Sequence, residues 1–143
     1  MSRKTSSALR ALAASTVLAC SLAACAGAIT PKDKLSESVY PFYDAWRWKK
    51  VASLAMCVKP DDREEFAAAY VEATDDVLFA DYEVTDIKLD EQKLKADVAV
   101  MFTWYRESDP MIVEAEIIET WEREAEGKPW YRTGQSVVKG QMP

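Results

Sequence analysis

Between residues 94 and 104 the chain alternates strictly. Leu94, Ala96, Val98, Val100, Phe102 and Trp104 hold the even positions, and Lys95, Asp97, Ala99, Met101 and Thr103 stand between them. A period of two predicts a strand with its even-numbered face in the core. Tyr82 to Leu89 predicts a strand before it, joined by the polar turn Asp90–Lys93. Glu107-Ser108-Asp109-Pro110 predicts a turn into a third strand, Met111 to Glu124. There Val113, Ala115, Ile117 and Trp121 share one face. The pair Ile117-Ile118 breaks strict alternation, as a bulge or burial on both faces would. A further turn, Glu126–Pro129, leads to a fourth strand opening at Trp130–Thr133.

Upstream the period is helical. Phe42, Ala45 and Trp46 form one stripe, and Val51, Leu54, Ala55 and Val58 another. This predicts a helix from a Ser38 cap to about Cys57, with Pro41 in its first turn and a bend near Trp48–Lys50. Asp61 with Glu64 has the spacing of a capping box. Phe66, Tyr70, Ala73 and Val77 then predict a helix reaching about Phe79.

Two or three helices followed by a meander of about four antiparallel strands is an α+β layout, with the helices on one face of a curved sheet. This order, closed by Gly127-Lys128-Pro129-Trp130, resembles the NTF2-like and cystatin-like domains. The resemblance implies a cone between sheet and helices. Trp46, Phe102, Trp104 and Trp121 are its candidate lining, as an apolar pocket or simply as packed core. Trp46 and Trp48, two apart on a helix, cannot share a face, so one of them is expected at the surface.

The N-terminus carries a separate message. Arg3, Lys4 and Arg10 precede an uncharged run of 14 residues, Ala11–Ala24. That is shorter than the roughly 20 residues a membrane helix needs, and it reads as a secretory signal. Leu22-Ala23-Ala24-Cys25 resembles the lipobox of bacterial lipoproteins. The resemblance implies cleavage before Cys25 and acyl chains on its sulfur and amine. Val17-Leu18-Ala19-Cys20 is a poorer match, because Leu18 is bulky where a small residue is wanted. The expected organisation is a signal peptide over 1–24, a lipidated tether over 25–34 and one domain over 35–143. By resemblance to enterobacterial lipoproteins, Ala26, rather than Asp, after the cysteine implies export to the outer membrane, facing the periplasm, if the cell is Gram-negative.

Composition narrows the function. Loss of residues 1–24 removes three of the 18 basic residues and none of the 24 acidic ones, leaving a net charge of −9. That balance argues against nucleic acid as a partner and against a surface that clings to anionic lipid. Cys57 is left without an intramolecular partner and reads as a small apolar residue on a helix. The chain has no histidine, which removes Ser-His-Asp and Cys-His catalysis and the commonest transition-metal ligand. No metal or cofactor motif is present.

Glu114, Glu116, Glu119, Glu122 and Glu124 crowd the third strand. Paired carboxylates can do acid–base chemistry or bind Ca²⁺, but Glu114, Glu116 and Glu122 share the outer face instead of converging in a cleft, and the run reads as a solvated sheet face. The expected function is therefore that of a non-enzymatic envelope lipoprotein, held to the membrane by lipid on Cys25 and binding another envelope protein. The alternative is a carrier of a small apolar ligand in an NTF2-like cavity.

Overall fold

The computed structural model describes residues 29–143, so Cys25 and the signal peptide lie outside the described residues. Helix α1 spans Pro31–Arg47. Its start is fixed by Thr30 and Asp33. The Asp33 amide donates to Thr30 Oγ1 at 3.2 Å, and the Thr30 amide donates to Asp33 Oδ2 at 2.8 Å. This reciprocal capping box, with Pro31 at the first helical position, starts the helix well before Ser38. Pro41 consequently sits inside the helix, and residues 31–34, assigned to the tether on composition, form its first turn. Leu35, Val39, Phe42, Tyr43 and Trp46 recur at helical spacing and are all buried.

The expected bend is a tight C-terminal cap. Lys49 has a φ of 50°. Its amide donates to the Trp46 carbonyl at 3.1 Å, and the Lys50 amide donates to the Ala45 carbonyl at 2.8 Å. This paired return closes the helix end, and α2, Val51–Met56, follows immediately. Pro60–Asp62 make a 3-10 turn into α3, Arg63–Ala73, whose N-terminus has no side-chain cap. The Asp61–Glu64 capping box is not formed.

Helix α3 ends earlier than its apolar spacing suggested. The Thr74 hydroxyl donates to the Tyr70 carbonyl at 2.8 Å, and Asp75-Asp76 follow. Asp76 ties this corner to the turn at Arg106–Ser108. Its carbonyl accepts the Glu107 amide at 2.8 Å, and its carboxylate pairs with Arg106 and accepts from Ser108. Val77 and Phe79 therefore begin strand β1 instead of ending a helix.

Strands β1 (Val77–Leu89), β2 (Lys95–Arg106), β3 (Asp109–Glu122) and β4 (Tyr131–Gly140) form an antiparallel sheet in sequence order. Strand β2 keeps the expected register, with Ala96, Val98, Val100, Phe102 and Trp104 buried. Strand β1 slips against it twice, between Phe79 and Asp81 and between Val84 and Asp86. Each slip reverses parity. The inward residues run Val77 and Phe79, then Tyr82 and Val84, then Ile87 and Leu89. Strand β4 slips twice against β3, skipping Val138 and Thr133. Such bulges bend and twist a strand, which curves both edges of the sheet about the helices. Strand β3 itself alternates without interruption from Ala115 to Trp121, so Ile118 is simply half-buried on the outer face.

The β2 register gives a direct test. Val98→Asp would bury an unpaired charge at a fully enclosed site and should cost more than about 3 kcal/mol. Exposed Asp97→Asn should stay within about 0.5 kcal/mol of the parent. Urea unfolding measures both, and equal midpoints for the two variants would reject the register.

Candidate functional site

The inner face of the sheet meets α1 through aromatic rings. Phe42 stands edge-on to Tyr43, Trp46 and Trp121, with centroids 5.3, 5.5 and 5.4 Å away. Trp46 lies 5.3 Å from Phe102 and 5.6 Å from Tyr70. Trp104 donates its indole N–H to the Gln141 carbonyl at 2.9 Å. All four aromatics singled out from sequence, Trp46, Phe102, Trp104 and Trp121, face inward and are buried. Trp46 borders a cleft of about 170 Å³, with Phe66, Tyr70, Thr74, Arg132, Gln135 and Met142 around it. Phe102, Trp104 and Trp121 lie beneath, in packed core.

One polar group stands in this apolar interior. Glu119 has 0 % exposure. The Tyr43 hydroxyl of α1 donates to its Oε2 at 2.6 Å, and Arg132 Nε of β4 donates to its Oε1 at 2.7 Å. The other side of the Arg132 guanidinium reaches Gln135. The rings of Phe42, Trp46 and Phe66 lie 5.5 to 5.8 Å from its central carbon. Arg132 is thus held by a carboxylate at one edge and by aromatic faces around it.

The reading of Glu119 as part of a solvated acidic face is overturned. The strand's own alternation carried the signal: 119 is odd, in phase with Ala115, Ile117 and Trp121. Only its charge argued for the outside, and Arg132 and Tyr43 supply what that charge needs.

The electrostatics follow from burial. Desolvation pushes the Glu119 carboxyl above its ordinary value of 4.5, against the opposing pull of Arg132 and the Tyr43 hydrogen bond. The Trp121 indole also favours the charged form, although its buried N–H meets no partner at hydrogen-bonding geometry. Tyr43 is raised well above 10.0, by burial first and by the Glu119 charge second. Tyr70, whose hydroxyl donates to the Trp46 carbonyl at 2.9 Å, is pushed up to about 12 by burial. A carboxylate, a tyrosine and an arginine could in principle move a proton or hold an oxyanion. Here Glu119 is enclosed, and its partners take both of its oxygens. Arg132 is the member that reaches the cleft beside Trp46 and a second, polar cleft of about 370 Å³ lined by Asp62, Glu65 and Thr133. Among the described residues no cluster of acids and cysteines has the arrangement to hold a metal ion. Cys57, at the end of α2, is a free thiol raised by burial.

Helices on one face of a four-stranded antiparallel meander, with an aromatic interior between them, match solved structures closely enough to place the architecture. A ketosteroid isomerase-like protein from Erwinia carotovora atroseptica superposes with a TM-score of 0.57 at 14% identity, over 74% of this chain and 95% of that one. An NTF2-like protein from Cytophaga hutchinsonii gives 0.56 at 14%, over 76% and 97%. A Ca/calmodulin-dependent kinase II association domain, so described as putative, from Exiguobacterium sibiricum gives 0.57 at 10%, over 77% and 92%. The fold is NTF2-like. No protein-family model and no curated protein matches the chain. An NTF2-like fold carries enzymes and non-enzymes alike, so activity has to be argued from the side chains.

The buried pair predicts a specific mutational pattern. Glu119→Leu leaves Arg132 without its counter-charge and should cost about 3 to 5 kcal/mol. Replacing both partners with leucine should recover part of that loss. Tyr43→Phe should cost about 1 to 2 kcal/mol. Because the folded Glu119 carboxyl is raised, its contribution to stability is full below about pH 4.5 and is lost as pH rises through the folded value. Measured against Glu119→Gln, the parent should therefore lose stability from acid toward neutral pH. A difference that stays flat with pH, or that changes with the opposite sign, would reject the raised carboxyl.

Proposed function

We propose that this chain is a lipid-anchored protein of the bacterial envelope whose NTF2-like domain binds another protein and performs no chemistry of its own. The observation that supports binding is Trp48. It is 65% exposed at the end of α1, whereas Trp46, two residues earlier, is buried in the core. Large exposed aromatics are favoured binding anchors, because burying them against a partner removes much apolar surface from water.

Trp48 is also pre-positioned. Its amide donates to the Asp44 carbonyl at 3.1 Å, and the next residue, Lys49, fixes the corner and reaches the Asp75 carbonyl at 3.3 Å. The Arg47 guanidinium sits 5.6 Å from the Trp48 ring and pairs with Asp81 at 3.5 Å. A side chain on so rigid a corner has less freedom to lose on binding. The anchoring half of the proposal rests on the Leu22–Cys25 lipobox. Among the described residues no helix is long and apolar enough to cross a membrane.

The second reading, a carrier of a small apolar ligand, is favoured by the cleft beside Trp46. Its lining is mostly apolar, and the buried Trp46 indole N–H has no partner. Two sets of variants separate the readings. Trp48→Ala should leave the melting temperature within about 2 °C of the parent, since the ring supports no core packing. It should remove a partner that the parent captures after crosslinking in intact cells. Binding of an apolar fluorescent probe that survives Trp48→Ala and is lost in Phe66→Ala would favour the carrier instead. Mass spectrometry of the membrane fraction should find an acylated Cys25 at the mature N-terminus. A Cys25→Ser chain should accumulate unprocessed, and an intact residue 1 in the parent would reject the anchor.

A further inference from the structure

The cleft at the opposite end of α1 from Trp48 is walled by Ile29, Lys34, Glu37, Arg123, Lys128 and Trp130, and measures about 440 Å³. We infer that this cleft is a seat for the headgroup of an anionic phospholipid, so that the domain rests on the membrane by this face. The inference rests on the lipid-anchor reading of Cys25.

Three observations carry it. The first is charge. Lys34, Arg123 and Lys128 face the cleft against a single acid, Glu37. Among the described residues none of these three cations is in an ion pair. Glu83, Asp86, Asp97 and Glu114 stand apart on the outer face of the sheet, while Glu124 and Glu126 flank the cleft on the turn before Gly127 without lining it. Net charge is therefore a poor guide to this one surface.

The second is construction. Arg123 is buried, with its Nε donating to the Lys93 carbonyl at 2.9 Å and its guanidinium 4.7 Å from the Trp130 ring. The Trp130 indole N–H is itself buried and without a partner. A cation fixed from behind suits a phosphate better than a mobile surface lysine does. Gly127, at a φ of 80°, makes the turn that sets Lys128 and Pro129 over the opening.

The third is reach. Ile29, 65% exposed, is part of the cleft wall. Four residue steps separate it from Cys25, and a fully extended chain covers at most about 14 Å in four steps. An acylated Cys25 would keep this cleft within that distance of the bilayer surface. A short tether gives neighbouring headgroups an effective concentration on the order of millimolar, enough to populate a weak site. Exposed Ile29 and Pro129 are apolar groups on the rim that tolerate the interface.

The test uses the full lipidated chain in nanodiscs of phosphatidylglycerol or of phosphatidylcholine, read by hydrogen exchange. Amides of Gly127–Tyr131 and the first turn of α1 should exchange several-fold more slowly on phosphatidylglycerol. Lys34→Glu/Lys128→Glu should abolish the difference, and Lys88→Glu on the sheet should not. Equal exchange on the two lipids, or protection that survives the charge reversal, overturns the inference. Millimolar dihexanoyl-phosphatidylglycerol against dihexanoyl-phosphatidylcholine in solution reads the cleft independently of the anchor. Protection there with an unmodified Cys25 removes the anchor and keeps the headgroup site. An acylated Cys25 with no lipid preference does the reverse. Protection by inorganic phosphate alone, equal to that by the lipid, would make it a free-anion site and overturn the assignment to lipid.

Discussion

A carboxylate cannot be enclosed without partners, and the position of Glu119 therefore constrains three elements at once. It sits on β3, accepts from Tyr43 of α1 and pairs with Arg132 of β4. The geometry works only if the helix lies across the inner face and the fourth strand curls far enough to bring its arginine under the same rings. Apolar contacts alone would leave α1 free to slide along the sheet, because the hydrophobic effect is non-directional. A 2.6 Å and a 2.7 Å bond to one carboxyl group fix the seating. A buried pair of this kind is weak evidence for net stability, since desolvation offsets much of the attraction. Its consequence here is orientation of the elements it joins.

The aromatic cluster follows from that seating. With α1 set by Tyr43, the rings of Phe42 and Trp46 fall against Trp121 and Phe102 at spacings typical of edge-to-face packing. The rings fill the space beneath, and the cleft that remains beside Trp46 is small. The slips in β1 and β4 belong to the same arrangement. They bend the two edge strands, so that Tyr82 and Arg132 approach the helix layer from opposite sides. Tyr82 then donates to Asp44 at 2.9 Å, a second tie between α1 and the sheet.

With the interior largely filled, the surfaces carry the functional argument. The two ends of α1 differ in kind. Its C-terminal corner presents Trp48 on a fixed turn. Its N-terminal pole faces a cleft lined by Lys34, Arg123 and Lys128, none of which is in an ion pair among the described residues. On this reading the helix separates a membrane-facing pole from a partner-facing corner. A short tether below and a rigid anchor above would hold the binding residue at a set height over the bilayer.

The sequence by itself determined the elements whose periodicity is local. The α+β order, the β2 register from Ala96 to Trp104, the turn at Asp90–Lys93, the break at Trp48–Lys50 and the division of Trp46 from Trp48 were all legible, because each depends on residues a few positions apart. Tertiary structure decided whatever depends on pairing across the chain. The slips in β1 reverse its parity twice, so no single period could reveal it, and Val77 and Phe79 read as helix until pairing with β2 claimed them. The helix start at Thr30 is written in a short-range pattern, Thr-x-x-Asp, but the first turn carries no buried apolar residue before Leu35, so apolar periodicity does not reveal it. Glu119 shows the division most clearly. Its position in the strand placed it inside and its charge placed it outside, and sequence had no means to weigh the two. Only the fold brings Tyr43, 76 residues away, and Arg132 within bonding distance, and those bonds are the physical reason a charge-bearing side chain can occupy the centre of the core.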